Sequence, residues 1–178
     1  MKKKIKLIPN HGILFWVTGL SGSGKTRISK KISSHIRKNY GKTLVLSGDE
    51  IRNIFNMKGY SNKERLITVL KYCKLAKKIT SQNINVILAV IGMRDYLRDW
   101  NKKNQKNYVE IYIKTDLKKI IKEKKKKIYH NNTSQIVGIS NISEIPKNPH
   151  IILNNSFKKS INQLSEVLLK RINNLINQ

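Results

Sequence analysis

Cysteine is almost absent from this 178-residue chain, occurring once as Cys73. No disulfide can close within the sequence, so its stability must rest on a packed core. Cys73 sits among Val69, Leu70, Tyr72 and Ala76, an apolar helix face that predicts a packed thiol rather than a nucleophile. Long apolar runs are missing too. No stretch reaches the ~18 residues of a membrane span. The start, Met1-Lys2-Lys3-Lys4-Ile5-Lys6-Leu7-Ile8-Pro9, lacks the apolar core and cleavage site of a secretory signal. The expectation is a cytoplasmic protein without a membrane span.

Acidic residues are scarce as well, ten against 37 basic ones, for a formal net charge of +27. A field of this sign attracts polyanions and causes salt-sensitive adhesion to nucleic acid. Sequence-specific reading is a different matter. Only seven of the basic residues are Arg, the type that base edges favour, and Lys, Ile and Asn are abundant together, as in a general compositional bias. Aromatics are 7%, and no recognition helix, zinc spacing or stacking platform is visible. Only non-specific nucleic-acid adhesion is therefore expected. A nucleotide-dependent nucleic-acid-binding module remains the competing reading from another class.

What the chain does have is Gly19-Leu20-Ser21-Gly22-Ser23-Gly24-Lys25-Thr26, directly behind an apolar run. This is the phosphate-binding loop pattern G-x-x-x-x-G-K-[ST]. Its glycines let successive backbone N–H groups turn toward the phosphates of a nucleotide, and the next helix adds its positive end. Gly19, Ser21, Gly22, Ser23, Gly24, Lys25 and Thr26 are thus expected to hold ATP. Lys25 would reach the β- and γ-phosphates, and the Thr26 hydroxyl would bind Mg²⁺.

Around the loop, apolar strands alternate with helix patterns. Strands are expected at 12–18, 42–46, 85–91, 108–114 and 151–153, and helices at 25–39, 49–55, 62–81, 95–103, 116–127 and 160–176. Ile28, Ile32 and Ile36 mark the first helix; Ile161, Leu164, Leu168, Ile172 and Leu175 stripe the last. Ser61 and Glu64 form a capping box. This alternation predicts an α/β single-domain P-loop kinase, with a five-stranded mainly parallel sheet and helices on both faces. Residues 1–11 read as a frayed basic arm and 12–178 as the domain. The polar, aperiodic stretch 128–150 breaks the rhythm and is expected to be a lid loop. The lysine run at 124–127 suits either a solvated helix end or, in part, the site.

In an open parallel sheet, ligands sit at the carboxyl ends of the strands. Ser47-Gly48-Asp49-Glu50-Ile51-Arg52 follows the second strand. Asp49 would face the phosphate loop, where a carboxylate can hold Mg²⁺ through water or take the proton of an attacking hydroxyl. A helix-capping role for Asp49 is the alternative. Arg52, one turn later, would bind an anion.

These segments, with Gly59-Tyr60-Ser61, Glu64-Arg65 and Pro146-Lys147-Asn148-Pro149, resemble adenylylsulfate (APS) kinases over residues 12–172. The resemblance implies transfer of the ATP γ-phosphate to the ribose 3′-hydroxyl of an acceptor nucleotide, with Mg²⁺. It implies Asp49 and Lys25 as catalytic residues. It places the acceptor on Asp49, Arg52, Tyr60, Arg65, Thr68, Ile91, Gly92, Lys126 and Ile136, with Tyr129 arriving on the lid. Two copies could pair as a homodimer.

The departures matter equally. The family's asparagine is Thr68, its Ser-Pro is Gly92-Met93, and a lid phenylalanine that stacks on the acceptor adenine is Ile136. Stacking on an aromatic is worth roughly 1–3 kcal/mol, so losing it weakens an adenine acceptor about tenfold to a hundredfold. The segment from Gly92 to Asn101 also resembles an APS-kinase-like branch linked to surface polysaccharides, whose acceptor is cytidine diphosphoramidate. Both acceptors stand. A small alcohol or sugar is disfavoured, because a neutral acceptor needs no pair of arginines.

Overall fold

The computed structural model describes residues 4–59, 61–124 and 143–177. The strands are β1 (Ile5–Lys6), β2 (Ile13–Thr18), β3 (Thr43–Ser47), β4 (Asn85–Ala89), β5 (Asn107–Lys114), β6 (Ile151–Asn154) and β7 (Ile176–Asn177). The helices are α1 (Lys25–Tyr40), α2 (Gly48–Ile54), α3 (Asn62–Thr80), α4 (Asp95–Asn104), α5 (Leu117–Lys124) and α6 (Ile161–Leu175). β3, β4, β2, β5 and β6 form, in that order, one five-stranded sheet in which every pair is parallel.

Parallel strands need both faces covered, and the sequence provides for it: every residue of β2 and β4 is buried. On one face Phe15, Val17, Ile87 and Ile111 pack on Ile28, Ile32 and Ile36 of α1 and on Leu164, Leu168 and Ile172 of α6. On the other, Leu14, Trp16, Val86 and Leu88 meet Ile51, Tyr72, Cys73, Ala76 and Leu97 from α2, α3 and α4. Burial of each large apolar side chain contributes about 1.5–3 kcal/mol. Cys73 is fully buried, as its neighbours predicted, and burial pushes its thiol up to about 12.

From β2 the chain passes to the edge strand β3 and returns to β4 beside β2, then crosses to the other side of β2 to continue through β5 and β6. The reversal leaves a crevice at the carboxyl end of β2, where the glycine-rich loop begins. Asn85 and Asn107 tie the opposite end: Asn85 Oδ1 accepts from Ile13 N at 2.8 Å, and Asn107 Nδ2 donates to His11 O at 2.8 Å.

Two expectations change. The N-terminal arm is not frayed at residues 5–6: Ile5 and Lys6 pair in parallel with Ile176 and Asn177. Alternation of lysine with Ile5 and Leu7 is a strand pattern, and both apolar side chains pack on the core. Ile176 accordingly lies in β7, outside the last helix. The fifth helix begins at Leu117, because Asp116 Oδ1 accepts from Lys118 N at 2.7 Å and caps it. Its expected end at 127, and the lid between 128 and 142, lie outside the described residues.

Candidate active site

At the end of β2 the backbone turns sharply. Gly19 has φ 150°, and a Cβ there would stand 2.6 Å from Ile113 O, so only glycine fits. Gly24, at φ 95°, is the N-cap of α1. The first turn of α1 has no acidic residue, leaving its positive end open to an anion. Lys25 Nζ donates to Leu20 O at 2.7 Å across the loop, and Ser23 N donates to the same carbonyl at 3.2 Å. Asn155 Nδ2 donates to Ser23 O at 2.9 Å, bracing the loop from just beyond β6. Sequence reading missed Asn155, although its place directly after a strand was the available signal.

Across the crevice, Ser47 ends β3 and caps α2. Its Oγ accepts from Glu50 N at 3.3 Å while Ser47 N donates back to Glu50 Oε2 at 3.0 Å. Lys30 of α1 pairs with Glu50 at 3.0 Å, and the hydrogen bonds from Lys30 and Ser47 hold the Glu50 carboxyl below its usual range. The capping role weighed for Asp49 therefore belongs to Ser47. Among the described residues nothing hydrogen-bonds or pairs with the exposed Asp49 carboxylate.

Two adjoining cavities meet at this point. The first is the loop cavity, lined by Ser21, Gly22, Gly24, Lys25 and Thr26. The second lies between α2, α3 and the segment after β4, lined by Arg52, Arg65, Gly92 and Arg94 among others. Gly48, Asp49, Val90 and Ile91 line both. Gly19 and Ser23 stand behind the loop rather than in its wall; Ser23 is fully buried. Thr68 is buried on α3 at 8% exposure and lines neither cavity, whereas Asn62, Leu66 and Val69 of the same helix do. Tyr60, Lys126, Tyr129 and Ile136 lie outside the described residues.

Arg52 has a second task, since its Nη1 donates to Met57 O at 3.1 Å and Gly59 O at 2.9 Å. It thereby holds the turn that leads to α3. Gly92 has φ 42°, and a Cβ there would come within 2.4 Å of Trp16 Cζ2. The bulk of Trp16 thus excludes a side chain from this wall.

Behind the second cavity lies a buried charge cluster that sequence reading did not find. Arg98 and Glu110 are 2% and 1% exposed, with Arg98 Nε 3.5 Å from Glu110 Oε1. Arg98 also pairs with Asp95, and Lys102 stands 3.9 Å from Glu110. Desolvation raises the Glu110 carboxyl above its usual range despite Lys102 and Arg98. A glutamate inside the apolar strand 108–114 was the signal.

Thr26 and Asp49 face one cavity with Lys25. One hydroxyl and one carboxylate beside a phosphate site suit Mg²⁺, which takes few protein ligands and completes its shell with phosphate oxygens and water. Among the described residues no three His, Cys, Asp or Glu side chains gather as a metal cage. None of the described helices is long and apolar enough to cross a membrane.

A parallel sheet, a glycine loop feeding a helix, and a carboxylate facing that loop define a phosphate-loop kinase, a phosphotransferase that uses ATP as co-substrate. Residues 11–154 match the family described as adenylylsulphate kinase, and the chain belongs to that family. A cytidine diphosphoramidate kinase from Campylobacter jejuni is 31% identical, over 92% of this chain and 98% of the relative. An adenylyl-sulfate kinase from Bacteroides thetaiotaomicron is 28% identical, over 95% and 89%. In fold, the chain is similar to the Mycobacterium tuberculosis APS kinase solved with AMPPNP and APS, with TM-score 0.81, 23% identity, and coverage of 92% and 99%.

Proposed function

We propose that the enzyme transfers the γ-phosphate of ATP to the ribose 3′-hydroxyl of an acceptor nucleotide. One observation carries this reading: Asp49 lines both the loop cavity and the arginine-bearing cavity. A carboxylate at that junction can meet a hydroxyl entering from one side and a phosphate entering from the other. In the reaction the bond from the γ-phosphorus to the β–γ bridging oxygen breaks and a bond to O3′ forms. The O3′ proton passes to Asp49, and ADP leaves.

Lys25 leaves Leu20 O and donates to the γ-phosphate, while the loop amides and the α1 N-terminus hold the triphosphate. Positioning and charge stabilisation supply most of the rate in such transfers. Thr26 is the residue that would hold Mg²⁺, with Asp49 reaching it only through water and free to act as base; the ion when bound would neutralise charge on the phosphates. Arg65, with Arg52 beside it, binds the anionic 5′ side of the acceptor.

A cytidine diphosphate derivative such as cytidine diphosphoramidate is the acceptor that two observations favour over adenylylsulfate. Ile136 stands where the resemblance expects a stacking aromatic, and a relative acting on the cytidine compound is 31% identical over nearly its whole length. A coupled ADP-release assay tests this with Mg-ATP against adenylylsulfate, cytidine diphosphate derivatives and small alcohols. The account expects kcat/KM to be highest for a nucleotide, with the cytidine compound ahead. Turnover highest for a small alcohol would defeat the nucleotide reading, and adenylylsulfate far ahead would defeat the cytidine assignment alone.

A further inference from the structure

We propose that Arg94 is a further acceptor-binding residue, one that reads a second charged group beyond the 5′-phosphate of the nucleotide and is held ready by Glu144. The proposal deepens the nucleotide-kinase reading and rests on it.

Three of the chain's seven arginines, Arg52, Arg65 and Arg94, line a single cavity from three separate segments. Two are engaged or foreseen on the α2–α3 side. Arg94 comes instead from the segment after β4, which also supplies Ile91, Gly92 and Met93. Its backbone caps α4 in an extended conformation (φ −133°, ψ 130°). That position is anchored: Met93 before it and Leu97 one turn on are buried, and Arg98 is held between Asp95 and Glu110.

The guanidinium is not equally fixed. It lies 3.8 Å from Glu144 Oε1, beyond ordinary hydrogen-bond length, and the two side chains are 32% and 35% exposed. Ion pairs of this kind contribute about 0–1 kcal/mol, too little to explain an arginine in the wall of an acceptor cavity. Glu144 also has other anchors. Its carboxylate accepts from Asp95 N, and its own N donates to Met93 O at 2.9 Å. Arg94 can therefore swing to an incoming phosphate oxygen without leaving Glu144 stranded.

Asp49 fixes which end of the acceptor carries the reacting hydroxyl, so the other charged end falls to the arginines. Arg52 already gives donors to Met57 and Gly59. A single phosphate would be served by Arg65 with Arg52. A third planar, bidentate donor suits an acceptor whose 5′ group is a diphosphate or a mixed phosphoanhydride bearing charge on both units.

Opposite signs from the two partners test the idea. In the full-length protein, Arg94→Ala, Arg94→Lys and Glu144→Gln would be compared with wild type using Mg-ATP and the acceptor probes cytidine diphosphate, cytidine monophosphate, adenylylsulfate and AMP. Charge-assisted hydrogen bonds of this class correspond to about tenfold to a hundredfold in affinity. Arg94→Ala is expected to raise KM by that factor for the member of the pair that carries a second charged unit beyond the 5′-phosphate, in whichever pair the wild type turns over. It should act less on the monophosphate and leave KM for ATP unchanged, while Arg94→Lys recovers part of the loss. Glu144→Gln, which frees Arg94 but keeps an acceptor for Asp95 N, is expected to lower the same KM. Equal losses from Arg94→Ala and Glu144→Gln, a parallel rise in KM for ATP, or no response to Arg94→Ala would overturn the proposal while the kinase reading stands. A wild type inactive on both nucleotide pairs would overturn both.

Discussion

The two halves of the cleft meet at Asp49 yet are built in opposite ways. The proposed donor half is the more local: residues 21–27 supply half of its wall, and α1 behind it packs through Ile28, Ile32 and Ile36 on α6. The proposed acceptor half is assembled from α2, α3, the segment after β4 and α4, with buried Trp16 packed behind Gly92. Buried Arg98 and Glu110 stand behind it. A phosphate is the same in every nucleotide and can be bound by one contiguous loop. An acceptor differs between enzymes, and its pocket is drawn from several separate segments.

Damage to the acceptor half should therefore spare donor binding, and the reverse. The largest effect is expected from Glu110→Ala, which leaves Arg98 buried with a partner lost. It should cost about 3–5 kcal/mol in urea unfolding. Nucleotide binding to the loop should persist wherever the variant is folded. Acidity probes the same residue. Folded Glu110 holds its proton more tightly than the unfolded chain, so its contribution to stability is greatest in acid. That contribution declines as pH rises from the ordinary carboxylate range to the raised value, then stays flat. Comparing unfolding of wild type and Glu110→Gln across that window should isolate this slope as the part missing from the variant.

Next in size is Lys25→Ala, aimed at the donor half. Loss of one preorganised donor to the transferring group lowers kcat about a hundredfold to a thousandfold. Steady-state kinetics should show it with acceptor KM unchanged. Gly92→Ser is smaller, about 1–3 kcal/mol by thermal unfolding, because its Cβ meets Trp16 in a packed core. It should raise KM for the acceptor and not for ATP. Pairing it with Trp16→Phe should recover part of the loss; strict additivity would mean that the two positions do not meet.

The same contrast explains what could be read from the sequence. The phosphate loop, the helix behind it and all five main strands follow from contiguous patterns, so their positions emerged within a residue or two. Asp49 and Arg52 could be placed because they follow a strand directly. Asn155 obeys that rule too, but nothing in its own segment signals that it braces Ser23 from 132 residues away. Arg98 and Glu110 are separated by a helix end and a strand start, and the partnership exists only once β5 lies under α4. The pairing of β1 with β7 joins the two ends of the chain, and no local pattern can announce a partner so distant. Ser47, not Asp49, is the cap because Glu50 stands three residues on and completes a capping box, a local pattern the sequence contains.

Asp49→Ala tests the central claim most directly, with ATP binding by titration calorimetry set beside turnover of the preferred acceptor. The account predicts that ATP binds as before while kcat falls about a hundredfold to ten-thousandfold, the range of a lost general base. Turnover like that of the wild type would contradict it and remove Asp49 from the chemistry.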